Sequence, residues 1–432
     1  MGFLLDSIKI YLFDIMKIKH LVMKSFRGIG DLILDFHPTE PTVIIGINGV
    51  GKSSILDNLA ILLSRFTSPI QYPSTSGRLF REEDISNGCS ETSNEITISV
   101  DSDEIKWSLT KVRTKRTKES SSNLVELRGL IEDTHNRLKN NPESNLPVIV
   151  YYAVNRAVID IPLKVRKKPI FESASAYEEA LDGVKINFSD FFQWFRILED
   201  LENEQRRDDA HYLNPQLEAV RQAIYSVIPG FNNLRVRRSP LRMTVSKEGK
   251  ELIINQLSDG EKCLLAMVGD LARRLTIANP ESEEPIHGEG IVLIDEIELH
   301  LHPQWQRRII PALTKTFPNC QFIISTHSPQ VLSHVQPEGI YILEKEDQGL
   351  VVKQTESSFG RDSNRILEDL MDVPERPQEV KDAFQTLFRY IESGQLYEAK
   401  ELRQHLANAI GEDEPEFVRV DVLIKRKEIL NK

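Results

Sequence analysis

The chain has 432 residues, more than one hydrophobic core usually serves, so two or three lobes are expected. A net charge of −11 excludes a surface that is basic all over, and three scattered cysteines (Cys89, Cys263, Cys320) exclude a disulfide framework or a C-x-x-C metal site. No apolar run approaches the roughly 18 residues of a membrane span, so a cytoplasmic setting without membrane attachment is expected.

Residues 1–15 mix apolar side chains with Asp6 and Asp14. Lacking a basic start and a small-residue cleavage site, they read as an N-terminal extension rather than a secretory leader. Met16 opens a first lobe, residues 16–112, with strands expected over Ile18 to Phe26 and Leu32 to Phe36 and a turn carrying Arg27 between them. The apolar run Thr42 to Ile45 then enters Gly46-Ile47-Asn48-Gly49-Val50-Gly51-Lys52-Ser53, and helical periodicity follows from Ser54. Strand, glycine-rich turn and helix in this order make a phosphate site. Glycines let backbone N–H groups curl around phosphate oxygens, and the helix N-terminus adds partial positive charge. Gly49, Gly51, Lys52, Ser53 and Ser54 are candidate contacts, with Lys52 for the β- and γ-phosphates and the Ser53 hydroxyl for Mg²⁺. A chance glycine turn is the plain alternative, and the later motifs weigh against it.

Residues 113–240 read as an insertion or lid, partly helical and basic. One basic cluster runs through Lys111, Arg113, Lys115, Arg116 and Lys118, and a second holds Arg166, Lys167 and Lys168. Arg235, Arg237, Arg238 and Arg242 make a third. On an acidic chain such clusters suit the backbone of DNA, with solvated faces as the competing reading. Among them, Val148 to Tyr152 has the character of a buried strand and Phe191 to Leu198 that of an amphipathic helix.

A second lobe, residues 241–355, carries three more motifs. Leu257-Ser258-Asp259-Gly260-Glu261-Lys262 opens a helix, so Ser258 and Gly260 form either a simple N-cap or a second anion-binding nest. Ile291 to Ile294 is an apolar strand ending in Asp295 and Glu296, and parallel strands deliver their last residues to the ligand edge. Asp295 then suits the magnesium shell, and Glu296 the attacking water. Ile323 to Thr326 ends in His327, whose neutral imidazole could bond the γ-phosphate or that water. His300 and His302 have a metal-like spacing, but their place directly after the acidic strand suits an interface better. Residues 356–432 read as a helical partner-binding region, with Ala399, Leu402, Leu406 and Ile410 along one face.

The set GINGVGKS, LSDGEK, IVLIDE and ISTHS, in that order, resembles the ABC-type ATPases of the SMC and RecF group, and Ile297 to Trp305 resembles that group's soluble branch. The likeness covers residues 16–110 and 240–345. It implies an α/β ABC-type P-loop ATPase fold, with a mixed β-sheet and flanking helices, binding ATP and Mg²⁺. Hydrolysis in that group can be very slow, the chain then serving mainly as a nucleotide-gated sensor. By the same resemblance Lys52, Ser53, Asp295, Glu296 and His327 act in cis, with Glu296 and His327 catalytic. Asn48 would touch the γ-phosphate and Arg27 the nucleotide. Ser258 and Gly260 would act in trans, so ATP drives a head-to-tail homodimer able to join a higher oligomer. Asp259 and Glu261 depart from the commonest glycine and glutamine of that signature. A clear Q-loop glutamine is missing, and Gln71 and Asp84 are both candidates.

The layout, without a long coiled coil and with a helical tail, resembles the PtuA ATPase subunits of Septu-type and retron-associated antiphage systems. That resemblance implies control of a partner HNH nuclease of the PtuB kind. It also implies bound DNA or retron msDNA, and a reverse transcriptase in retron versions. A RecF-like DNA repair or maintenance ATPase is the alternative, and a transporter ATPase subunit a third reading that the basic insertion speaks against. A self-contained nuclease would need a Toprim domain, for which the tail offers no acids on strand ends.

Overall fold

The computed structural model describes residues 16–101, 103–113, 122–154, 172–183, 186–346 and 349–430. The chain divides into two units, residues 1–361 and 362–432.

The first unit opens with β1 (Lys17–Lys24), β2 (Asp31–Asp35), β3 (Thr42–Gly46) and the long helix α1 (Lys52–Gln71). β4 (Glu91–Val100) and β5 (Asp103–Val112) complete an antiparallel sheet of order β2-β1-β4-β5. Its strands alternate buried and exposed residues, as a sheet with one wet face requires. Next come α2 (Val125–Asn140), β6 (Val148–Tyr152), α3 (Phe188–Gln205) and α4 (Pro215–Val227). A small antiparallel sheet of β7 (Phe231–Arg238), β8 (Leu241–Lys247) and β9 (Lys250–Ile253) leads into α5 (Asp259–Ala278). The unit ends with β10 (Gly290–Ile294), α6 (Pro303–Gln306), α7 (Ile309–Thr316), β11 (Cys320–Ser325), α8 (Pro329–Leu332), β12 (Ile340–Glu346) and β13 (Gly349–Gln354).

The central sheet has the order β13-β12-β3-β11-β10-β6. All its neighbours pair in parallel except the β12–β13 hairpin, so the sheet is mixed, as the motif order implies. β6 and β10 are buried at every residue, which is why they read as unbroken apolar runs. α1 contacts strands of both larger sheets, and the buried Trp107 of β5 donates its indole N–H to Leu62 O at 3.1 Å. Residues 113–240 are therefore not wholly an insertion. β6 sits inside that stretch, yet it is the edge strand beside β10, with Ile149 opposite Ile291. α3 and α4 both pack against α5.

The second unit holds α9 (Ser363–Met371), α10 (Gln378–Glu392), α11 (Leu396–Ile410) and α12 (Pro415–Leu430). Phe384, Leu387, Ile391, Ala399, Leu406 and Phe417 form its own core, with Leu402 and Ile410 packed against it. Among the described residues no helix is long and apolar enough to cross a membrane.

Candidate functional site

β3, β11 and β10 are successive neighbours, and parallel, so their loops leave the central sheet at one edge. That topology brings together Lys52 after β3, His327 after β11, and Asp295 and Glu296 after β10. In the phosphate loop, a Cβ on Gly46 would stand 2.6 Å from Leu343 O, so crowding requires glycine there. Gly49 faces open space, and its φ of 78° is what favours glycine. Ile47, Asn48, Gly49 and Ser53 are exposed, whereas Lys52 is 5% exposed. Its Nζ donates to Gly46 O at 2.8 Å and Ile47 O at 3.1 Å. Burial lowers the Lys52 pKa, and the carboxylates of Asp295, Glu296 and Glu298 act against that shift.

Ser325, at the end of β11, ties the acidic loop to the sheet. Its hydroxyl donates to Asp295 Oδ1 and accepts from the Glu296 N–H at 2.8 Å. Glu296 has a φ of 46°, which ends the strand alternation that would send the two acids to opposite faces. Glu298, a residue the motif reading passed over, joins this loop to the histidine. Its Oε2 accepts from the Thr326 hydroxyl at 2.7 Å and its Oε1 from the His327 N–H at 2.5 Å. Burial, then the Lys52 charge, lowers the His327 pKa against the raising pull of Glu298, Glu296 and Asp295. The ring is therefore neutral near pH 7 and can both accept and donate. The Ser53 hydroxyl and Asp295 carboxylate are hard oxygens of the kind Mg²⁺ prefers. Among the described residues no group of three or more His, Cys, Asp and Glu could hold a metal ion alone, so a cation here would also need the nucleotide's phosphates.

The signature stretch is a helix cap. Ser258 caps α5 in a capping box, its Oγ accepting from Glu261 N and Glu261 Oε2 accepting from Ser258 N at 2.9 Å. Ser258 and Asp259 are exposed, while a Cβ on the buried Gly260 would stand 2.4 Å from His300 O. Ser258 and Glu261 are thus engaged with each other and with Lys247, not with their own phosphate loop. His302 caps α6, its Nδ1 accepting from Gln304 N at 3.3 Å.

Arg27 lies in a network that reaches the first turns of α1. Its Nε donates to Asp84 Oδ1 at 2.6 Å and its Nη2 pairs with Asp57 Oδ2 at 2.7 Å; Asp57 also holds Arg78 at 2.7 Å. Gln71 ends α1, about 28 Å along the helix from Lys52 at 1.5 Å per residue. Of the two Q-loop candidates, only Asp84 lies in this network. Lys111 is on β5, and Arg113 donates to Ile85 O at 3.0 Å. Lys115, Arg116, Lys118, Arg166, Lys167 and Lys168 lie outside the described residues. Among the described residues, three of the four arginines of the third basic cluster, Arg235, Arg237 and Arg238 but not Arg242, are paired with carboxylates. Arg235 and Arg237 share Glu251 at 2.5 and 2.6 Å, and Arg238 pairs with Glu199 at 2.9 Å and Asp200 at 2.5 Å. Those arginines are neutralised by carboxylates brought to them from other elements.

Residues 42–333 match the family AAA_21, described as "AAA domain, putative AbiEii toxin, Type IV TA system". The chain is similar to the "Retron Ec83 probable ATPase" of Escherichia coli, 31% identical over 95% of this chain and 87% of that one. It is similar to the "Retron Vc95 probable ATPase" of Vibrio cholerae, 32% identical over 87% of this chain and 83% of that one. The "Septu protein PtuA" of Bacillus thuringiensis is 26% identical over 83% of this chain and 85% of that one.

Proposed function

The chain belongs to the AAA_21 family, as an ATPase related to those of retron and Septu antiphage systems, and from that premise we propose that it is the nucleotide-gated sensor of such a system. One observation carries the reading. Lys52, Asp295, Glu296 and His327 converge at one sheet edge, while the exposed Ser258 is engaged with Glu261 instead. Such a site binds ATP in one chain and is completed by Ser258 and Gly260 of a second, in a head-to-tail homodimer.

In this reading Lys52 exchanges its loop carbonyls for the β- and γ-phosphates, with Asn48 and Ser54 beside them and Arg27 near the nucleotide. Bound Mg²⁺, held by Ser53 and Asp295, would supply charge neutralisation at the phosphates. Glu296 orients the attacking water and takes its proton, and His327 hydrogen-bonds the γ-phosphate side. Hydrolysis can be slow, because dimerisation itself reports ATP. The output is regulation of a separate HNH nuclease held by the helical region 356–432. DNA or msDNA bound near Lys111 and Arg113, and a reverse transcriptase, are further partners in a retron setting; the names of the two retron relatives support that setting. A RecF-like repair ATPase would share the dimer but lack a dedicated nuclease partner.

Glu296→Gln is the test. It removes the proton acceptor and leaves the binding groups, so ATP should bind as in the parent and turnover should fall by about 10²–10⁴-fold. Light scattering should show a dimer that persists with ATP. Full turnover removes Glu296 from its role, and an ATP-bound monomer overturns the composite site.

A further inference from the structure

The hydroxyl of Ser258 is committed in this structure. It donates to Glu261 Oε2 at 2.8 Å, and the Ser258 N–H donates to the same oxygen at 2.9 Å. The other oxygen, Oε1, pairs with Lys247 Nζ at 2.6 Å, from the last residue of β8. Glu261 is 5% exposed, so its charge is shielded little by water. Lys262, the next residue, is occupied by Asp259 at 3.3 Å. Among the described residues Lys247 is therefore the cation paired with Glu261, although Glu248 beside it competes for its charge.

A triphosphate approaching Ser258 from a second chain meets this carboxylate directly behind the hydroxyl, 2.8 Å from it. Like charges repel more strongly as a closing interface loses water. An uncompensated Glu261 would oppose docking, and an unheld one would no longer orient the serine. We infer that Lys247 is a positioning residue of the composite ATP site, holding Glu261 against Ser258 and cancelling its charge where the second chain's triphosphate docks. The inference rests on the reading that Ser258 acts on the ATP of another chain.

A double-mutant cycle in the Glu296→Gln background tests it, reading the ATP concentration that gives half dimer by sedimentation. Lys247→Met should raise that concentration about tenfold, whereas in combination with Glu261→Gln, which removes the charge, it should change little. Binding of a fluorescent ATP analogue to the monomer, at protein concentrations below dimerisation, should be the same with and without Lys247→Met. If Lys247 merely fastened β8 to α5 through Glu261, monomer binding and dimerisation would weaken together on Lys247→Met, and the inference fails. It also fails if Lys247→Met dimerises at the parent's ATP concentration. A parent that stays monomeric with ATP overturns the composite site itself, and the role of Lys247 with it.

Discussion

Each carboxylate oxygen of Glu298 has its own donor, the Thr326 hydroxyl on one and the His327 N–H on the other. The hydroxyl can turn round and accept, so an amide side chain could still satisfy both partners. Alanine could satisfy neither and would leave a part-buried N–H unpaired, at a cost of about 1–3 kcal/mol. Glu298→Ala should therefore displace His327 and lower kcat by about 10–100-fold, since small misplacements at a reacting centre carry that penalty. Glu298→Gln should retain most of kcat while moving the acid limb of the pH profile. His327 has a pKa below 6.5, so the parent's kcat/KM should fall only as the pH drops beneath that value. Glu298 raises that pKa, so its neutralisation should move the limb lower still. An alanine variant with parental kcat would show that the bridge has no part in turnover.

At the scale of elements, two glycines in helices should respond to alanine with opposite signs. A Cβ on Gly269 of α5 would stand 2.9 Å from Phe191 Cε2 of α3. Phe191 is fully buried between Phe188 and Phe195, with ring centroids 5.3 and 5.8 Å away, so its ring has little space to yield. Gly269→Ala should cost about 1–3 kcal/mol by overpacking. Gly129 of α2 is exposed and a Cβ there meets nothing, so Gly129→Ala should gain about 0.5–1 kcal/mol. Thermal melts of the two variants should move apart, and a Gly269→Ala melt at or above the parent's would refute the packing of α3 on α5 described here. The elements most legible in the sequence were those whose signal is local. β3, β10 and β11 announce themselves by three or four apolar residues before a motif, and α5 by its capping serine. Partnership is not local. β6 read as a buried strand, but nothing near Val148 to Tyr152 says that it pairs with β10. Arg235, Arg237 and Arg238 read as a basic surface because Glu251, Glu199 and Asp200 come from other elements. Glu298 was missed for the same reason: only its bonds across to β11's loop reveal it.

For the whole molecule, the decisive question is whether one chain contains a complete site. The central sheet collects Lys52, His327, Asp295 and Glu296 in cis, while Gly260 lies against His300 O in the loop that follows those acids. Each chain would thus present two half-sites, a phosphate loop and a signature. A mixture of two defective chains separates the alternatives. Lys52→Met removes the phosphate contact and Ser258→Arg obstructs the signature, so either variant alone should hydrolyse little ATP. In a head-to-tail dimer of one variant with the other, both lesions fall in one composite site and the second site is intact. Random mixing at equal amounts makes half the dimers mixed, each with one working site of two, so about a quarter of the parental rate should return if the sites act independently. Recovery should follow the product of the two concentrations and vanish on dilution below dimerisation. If each chain instead held a full site, both lesions would stay separate and mixing would restore nothing at any concentration.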